Sequence, residues 1–144
     1  MKQLLSKLSG SFDISSPAAP VDIETMERHF SYSFPADYKE FLLFTNGLEG
    51  ETPNDYLVLW SVKELIELNT AYHVTEFVQN VIIIGSDGAE DAFGFDTSDT
   101  NGAIIKLPFI GMGHIANEKV ADTFEAFLST RVKQENKFFG RLFG

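Results

Sequence analysis

At 144 residues, 44% of them hydrophobic and fourteen of them Phe, the chain has the length of one domain and the bulk for one core. Its net charge of -10 disfavours nucleic acid and anionic membrane and favours a basic partner, and the absence of cysteine excludes disulfides, thiolate nucleophiles and thiolate metal sites. No apolar run approaches the roughly 20 residues of a membrane span, and MKQLLSKLSGSF lacks the apolar stretch and cleavage site of a signal peptide, so a cytoplasmic protein is expected.

Gln3 to Leu8 has the pattern of a short amphipathic helix, and the Ser-, Pro- and Gly-rich stretch Ser9 to Pro20 reads as a loop. Ile23, Met26 and Phe30 keep helical spacing behind Asp22, a candidate cap. Pro35 opens a second helix with Tyr38, Phe41, Leu42 and Phe44 on its apolar face, and Asn46-Gly47 supplies left-handed cap chemistry. Leu57 to Trp60 predicts a short strand. Ser61 and Glu64 have the spacing of a capping box for a helix carrying Leu65, Ile66, Leu68 and Tyr72.

Val81 to Ser86 is an uninterrupted apolar run of strand length, and Asp87-Gly88 begins a turn. Asp91 to Asp96 alternates, with Phe93 and Phe95 on one face and Ala92 and Gly94 on the other. A polar loop from Thr97 to Gly102 leads to a strand from Ala103 to Leu107. A final helix is expected from about Asn117 to Lys133, carrying Val120, Ala121, Phe124, Phe127 and Leu128, and the apolar tail of residues 134–144 is expected to dock. The order of elements argues an α+β single domain in which an antiparallel meander is covered on one side by several helices.

Charge is distributed unevenly along this framework. Glu40 to Ile105 holds twelve acids and one base, Lys63, for a net -11, while the flanks together carry +1. The acids in or beside its loops and turns are Glu49, Glu51, Asp55, Asp87, Glu90, Asp91, Asp96 and Asp99. A solvated surface and a binding surface both account for them. Successive meander turns lie at opposite ends of the strands, so Asp87–Asp91 and Asp96–Asp99 should be separated by one strand length, roughly 17 Å for five residues. The sequence leaves open which group Glu49, Glu51 and Asp55 join. Trp60 is either a packing residue or an aromatic anchor on a binding face. If Leu57 and Leu59 face the helices, Val58 and Trp60 face the other way.

Catalytic and metal chemistry find little support. His29, His73 and His114 fall in unrelated segments with no ligand spacing. Asp96 to Gly102 suggests a calcium loop but has glycine at the seventh position rather than the sixth, and Leu107 where the twelfth-position Glu is needed. Gly85-Ser86-Asp87-Gly88 lacks the lysine and spacing of a phosphate loop, and Gly111-Met112-Gly113-His114 reads as a bend. Neither an enzyme, a metal nor a cofactor is expected.

Four segments in order carry a family resemblance. IETMERHFSYSFPADYKEFLLFTNGLEG resembles the N-terminal signature of the SMI1/KNR4 (SUKH) superfamily, and LVLWSVKELIELNTAY is similar to its next strand and helix. VIIIGSDGAEDAFGFD is similar to its hydrophobic strand, Asp-Gly turn and aromatic strand, and ADTFEAFL resembles its closing helix. The resemblance runs from about residue 23 to 128, with residues 1–22 forming an N-terminal helix and loop. It implies a non-enzymatic binding module. In bacteria that means an immunity protein neutralising a polymorphic toxin, often a nuclease, and in fungi a regulator of cell-wall glucan synthesis. The expected partner is a basic toxin domain meeting Glu49, Glu51, Asp55, Asp87, Glu90, Asp91, Asp96 or Asp99, with Trp60 as anchor and the chain a monomer. A regulatory protein-interaction module in a housekeeping or cell-wall pathway is the alternative.

Overall fold

A computed structural model describes residues 1–132. In chain order they form α1 (Lys2–Ser6), α2 (Leu8–Ser11), β1 (Asp13–Ile14), α3 (Pro20–Phe30), α4 (Ala36–Phe44), β2 (Leu48–Glu51) and β3 (Tyr56–Leu59). There follow α5 (Val62–Ala71), α6 (Val74–Phe77), β4 (Val81–Ser86), β5 (Asp91–Asp96), β6 (Ile104–Pro108), β7 (Glu118–Ala121) and α7 (Phe124–Ser129). The strands lie side by side in sequence order, each antiparallel to the next, so the expected α+β meander is present.

Residues opposite one another across a ladder share a face of the sheet. Phe95 stands opposite Ile82 and Ile104, and its ring lies 5.8, 5.1 and 6.4 Å from those of Phe34, Tyr38 and Phe124. Phe93, on the same face, meets Phe127 at 5.0 Å. This face is therefore roofed by α4 and α7, with α3 packed beside α4. Aromatic pairs in such geometry add about 0.5–1.5 kcal/mol each beyond their buried area.

Polar side chains fix the roof. Glu27 accepts from the Phe34 amide at 2.8 Å and meets Lys39 at 3.5 Å, joining α3 to α4. Asp37 reaches from α4 to the Glu125 amide in the first turn of α7. The opposite face carries Ile83, Ala92, Ile105 and Leu107, all buried. Alternation places Val58, Trp60 and Phe109 on it, and α5 and α6 pack against β4.

One side chain replaces a stretch of missing ladder. Beyond the Trp60 amide's bond to the Ile84 carbonyl, β3 turns away into α5. Asn69 of α5 takes over: its carboxamide accepts from the Ile83 amide at 2.9 Å and donates to the Ile83 carbonyl at 2.7 Å. The Ser61–Glu64 capping box starts α5 as its spacing predicts.

Several expectations need correction. The single helix from Asn117 to Lys133 is instead β7 followed by α7. Val120 and Ala121 belong to the strand, with Ala121 opposite Ile104, because the open edge of β6 offers backbone partners that a helix could not use. Thr123 then starts α7 by accepting from the Ala126 amide. Within Ser9–Pro20, α2 extends to Ser11, and Asp13–Ile14 pairs with β2.

Glu49 and Glu51 lie on β2, opposite Val58 and Tyr56. Pro20 and Ala19 begin α3, leaving Asp22 in the first turn rather than at the cap. Thr45, in extended conformation, ends α4. Of the Asn46-Gly47 pair only Gly47 is left-handed, at φ 91°, and an added Cβ there would lie 2.6 Å from the Leu59 carbonyl oxygen. The tail of residues 134–144 lies outside the described residues.

Two outcomes are expected. Asn69→Leu strands both polar groups of Ile83, and at about 1–3 kcal/mol for each unmet group the unfolding free energy should fall by roughly 2–6 kcal/mol. Urea denaturation measures this, and an unchanged midpoint would show that the carboxamide bridge is dispensable. Burial pushes the Tyr38 phenol far above its ordinary value. Its contribution to stability is complete below about pH 10, where the unfolded phenol ionises, and is lost as pH rises further. Tyr38→Phe should therefore move alkaline unfolding to higher pH, as read by circular dichroism.

Candidate functional site

Strand alternation sorts the acids. The β2–β3 turn, the β4–β5 turn and the β6–β7 connection all leave the same end of the sheet, whereas the β5–β6 turn leaves the other. Glu49, Glu51 and Asp55 therefore join Asp87, Glu90 and Asp91, and Asp13 joins them opposite Glu49. Asp96 and Asp99 lie at the far end, about 20 Å away along a six-residue strand.

The two neighbouring turns touch. Gly88, at φ 78°, packs so closely on the Tyr56 ring that a Cβ would lie 2.8 Å from it. The Tyr56 hydroxyl donates to Glu49 at 2.7 Å. That bond, with the charges of Glu49, Asp13 and Glu51, raises the phenol above its ordinary value. Nearby, the Arg131 guanidinium lies 5.2 Å from the centre of the Phe93 ring and 4.8 Å from that of Phe127. Burial lowers its pKa, and the Asp55 charge opposes the shift.

Hydrogen bonding separates carboxylates that build turns from those that do not. Asp87 accepts from the Ala89 and Asp91 amides. Asp96 accepts from the amide and hydroxyl of Ser98, and Asp99 from the amides of Asn101 and Ala103. These three hold backbone turns together. Among the described residues, the carboxylates of Glu51, Asp55, Glu90 and Asp91 accept no hydrogen bond and join no ion pair. All four lie at the same end.

Trp60 is 6% exposed and stacks parallel on Tyr72, with ring centres 6.4 Å apart. Tyr72 in turn meets Phe109 at 4.8 Å. Of these three rings Tyr72 is exposed, at 43%, and Phe77, Ile110 and Ile115 are exposed as well. Gly113 packs against the Phe77 backbone, which brings α6 up to the β6–β7 connection. Ile110 is 93% exposed. It stands beside a cleft of about 370 Å³ lined by Ala89, Glu90, Asp91, Pro108, Phe109 and Ile110.

No motif in the sequence marks Tyr72, Phe77, Ile110 and Ile115 as surface residues. Tyr72 fitted a helical apolar face, but Ile110 beside Gly111 was an available signal, being a branched apolar residue in a glycine-rich bend. The structure also brings His29 and His73 to one cleft with Glu76. His73 and Glu76 are 3.6 Å apart on the surface. No group of three His, Cys, Asp or Glu side chains among the described residues is arranged to hold a metal ion. No helix among them is long and apolar enough to cross a membrane.

A model of the SMI1 / KNR4 family (SUKH-1) matches residues 17–130. A curated relative from Bacillus subtilis (strain 168), the uncharacterized protein YnaB, is 36% identical over 75 residues. That stretch covers 52% of this chain and 48% of the relative, so the match spans about half the length of that protein. The family match runs from before α3 to the end of α7 and takes in every strand from β2 to β7. The chain belongs to the SMI1/KNR4 family (SUKH-1).

Proposed function

We propose that the protein is a cytoplasmic, non-enzymatic immunity protein that neutralises a basic toxin domain of the nuclease type at the acidic end of its sheet. The observation that carries this reading is the gathering of Glu51, Asp55, Glu90 and Asp91, without partners among the described residues, at the end of the sheet from which the β6–β7 connection with its exposed Ile110 and Ile115 also leaves. Binding surfaces combine apolar groups that lose water on contact with charged groups that steer encounter. A nuclease domain must itself present bases to phosphate, so an acidic surface competes for the groups that its substrate would use.

Within this reading the predicted residues have unequal parts. Glu51, Asp55, Glu90 and Asp91 meet the partner's bases, with Glu49 adding charge while it holds Tyr56. Asp87 shapes the turn that presents Glu90 and Asp91. Asp96 and Asp99 stay outside the contact. Trp60 backs Tyr72, which provides the aromatic contact.

The direct test is capture, by the purified chain, of a basic C-terminal domain encoded beside its gene, followed by association kinetics. Charge steering contributes roughly 10- to 1,000-fold to association rates and weakens with salt. Glu90→Lys with Asp91→Lys should slow association by about tenfold or more at low salt. An equal reversal at Glu67 on α5 and Asp122 after β7 should leave the rate nearly unchanged. Equal slowing by both pairs, or indifference to salt, would contradict this assignment of the surface.

A further inference from the structure

Glu90 and Asp91 line a largely apolar cleft. One wall is the Ala89–Asp91 turn and the other is Pro108, Phe109 and Ile110. The Phe109 amide donates to the Glu90 carbonyl at 3.0 Å, extending the β5–β6 ladder and fixing one wall against the other. At about 370 Å³ the cleft is near the small end of ligand pockets, which run from about 300 to 1,000 Å³. It has room for a single long side chain rather than a polymer. Its two carboxylates make no hydrogen bond or ion pair among the described residues, and Ile110 extends the apolar wall outward at 93% exposure.

We propose that this cleft receives an arginine side chain from a basic protein partner. The aliphatic stem lies along Pro108 and Ile110, the guanidinium pairs with Glu90 and Asp91, and Phe109 offers an aromatic surface beneath it. Arginine fits better than lysine because its planar fork matches a carboxylate, stacks on rings and is more weakly hydrated than an ammonium group. The chain already packs one arginine in this way, with Arg131 over Phe93 and Phe127. Nucleic acid is disfavoured at the cleft because both of its charged side chains are acidic. The proposal deepens the reading of this end as a binding surface, but its test requires no toxin.

The experiment is amide chemical-shift mapping of the full chain with three acetylated, amidated peptides, Gly-Leu-X-Leu-Gly, in which X is arginine, lysine or citrulline. The arginine peptide should give saturable shifts centred on Ala89, Glu90, Asp91, Phe109 and Ile110. Neutral citrulline should bind about tenfold more weakly or worse, because it leaves the carboxylates without a charged partner. Lysine should fall between them. Glu90→Gln with Asp91→Asn should abolish the preference for arginine over citrulline, and Ile110→Ser should weaken all three peptides.

Equal binding of arginine and citrulline would overturn the proposal, as would shifts spread evenly over the acidic surface or no localised shifts. Movement of the same amides on Arg141→Gln without peptide would show that the cleft is filled by the chain's own C-terminal residues, and would overturn it too. If the toxin is captured but the peptides do not discriminate, the arginine site falls while the binding surface stands.

Discussion

Seven consecutive antiparallel strands oblige each connection to leave the sheet at the end opposite to the one before it. The placement of the proposed binding surface depends on that alternation. It brings acids from β1, the β2–β3 turn and the β4–β5 turn to one end, although Asp13 and Asp91 are far apart in sequence. It also brings the β6–β7 connection, with its exposed isoleucines, to the same place. The same rule sends Asp96 and Asp99 to the opposite end despite their closeness to Asp91 in the chain.

The alternation requires a correctly paired centre, and β4 is where pairing is most demanding. Its residues are buried throughout, so each of its backbone groups needs a partner. β3 supplies partners only as far as Ile84, and the Asn69 carboxamide supplies the next pair. This bridge lets the chain leave the sheet, form α5 and return with Tyr72 stacked on Trp60. The exposed aromatic surface thus follows from a polar bond made in the core.

What the sequence disclosed divides along physical lines. Strong local signals survived folding: the Ser61–Glu64 box, the apolar run of β4, the alternation of β5 and the Asp87-Gly88 turn. Val58 and Trp60 do face away from Leu57 and Leu59. The edge strands β1 and β7, and β2 beside β1, were not legible, because they are short and polar and are strands only through their neighbours' open ladders. Missing β2 left the parity of the turns undetermined, so the end occupied by Glu49, Glu51 and Asp55 could not be read. Nor could residue type tell Asp87, Asp96 and Asp99, which bond backbone amides, from Glu90 and Asp91, which do not. The burial of Trp60 under Tyr72 is a contact across twelve residues that no local pattern encodes.

Total charge is consequently a poor guide to this surface, and the placement of carboxylates unengaged among the described residues, near exposed apolar groups, is a better one. The account stands or falls on where a bound partner touches. Amide hydrogen exchange of the complex with the proposed basic partner measures this directly. The account predicts new protection at residues 52–55, 87–91 and 109–117, with the β5–β6 turn at 97–102 unchanged. Protection centred on 97–102, with the other three segments exchanging as in the free protein, would contradict it.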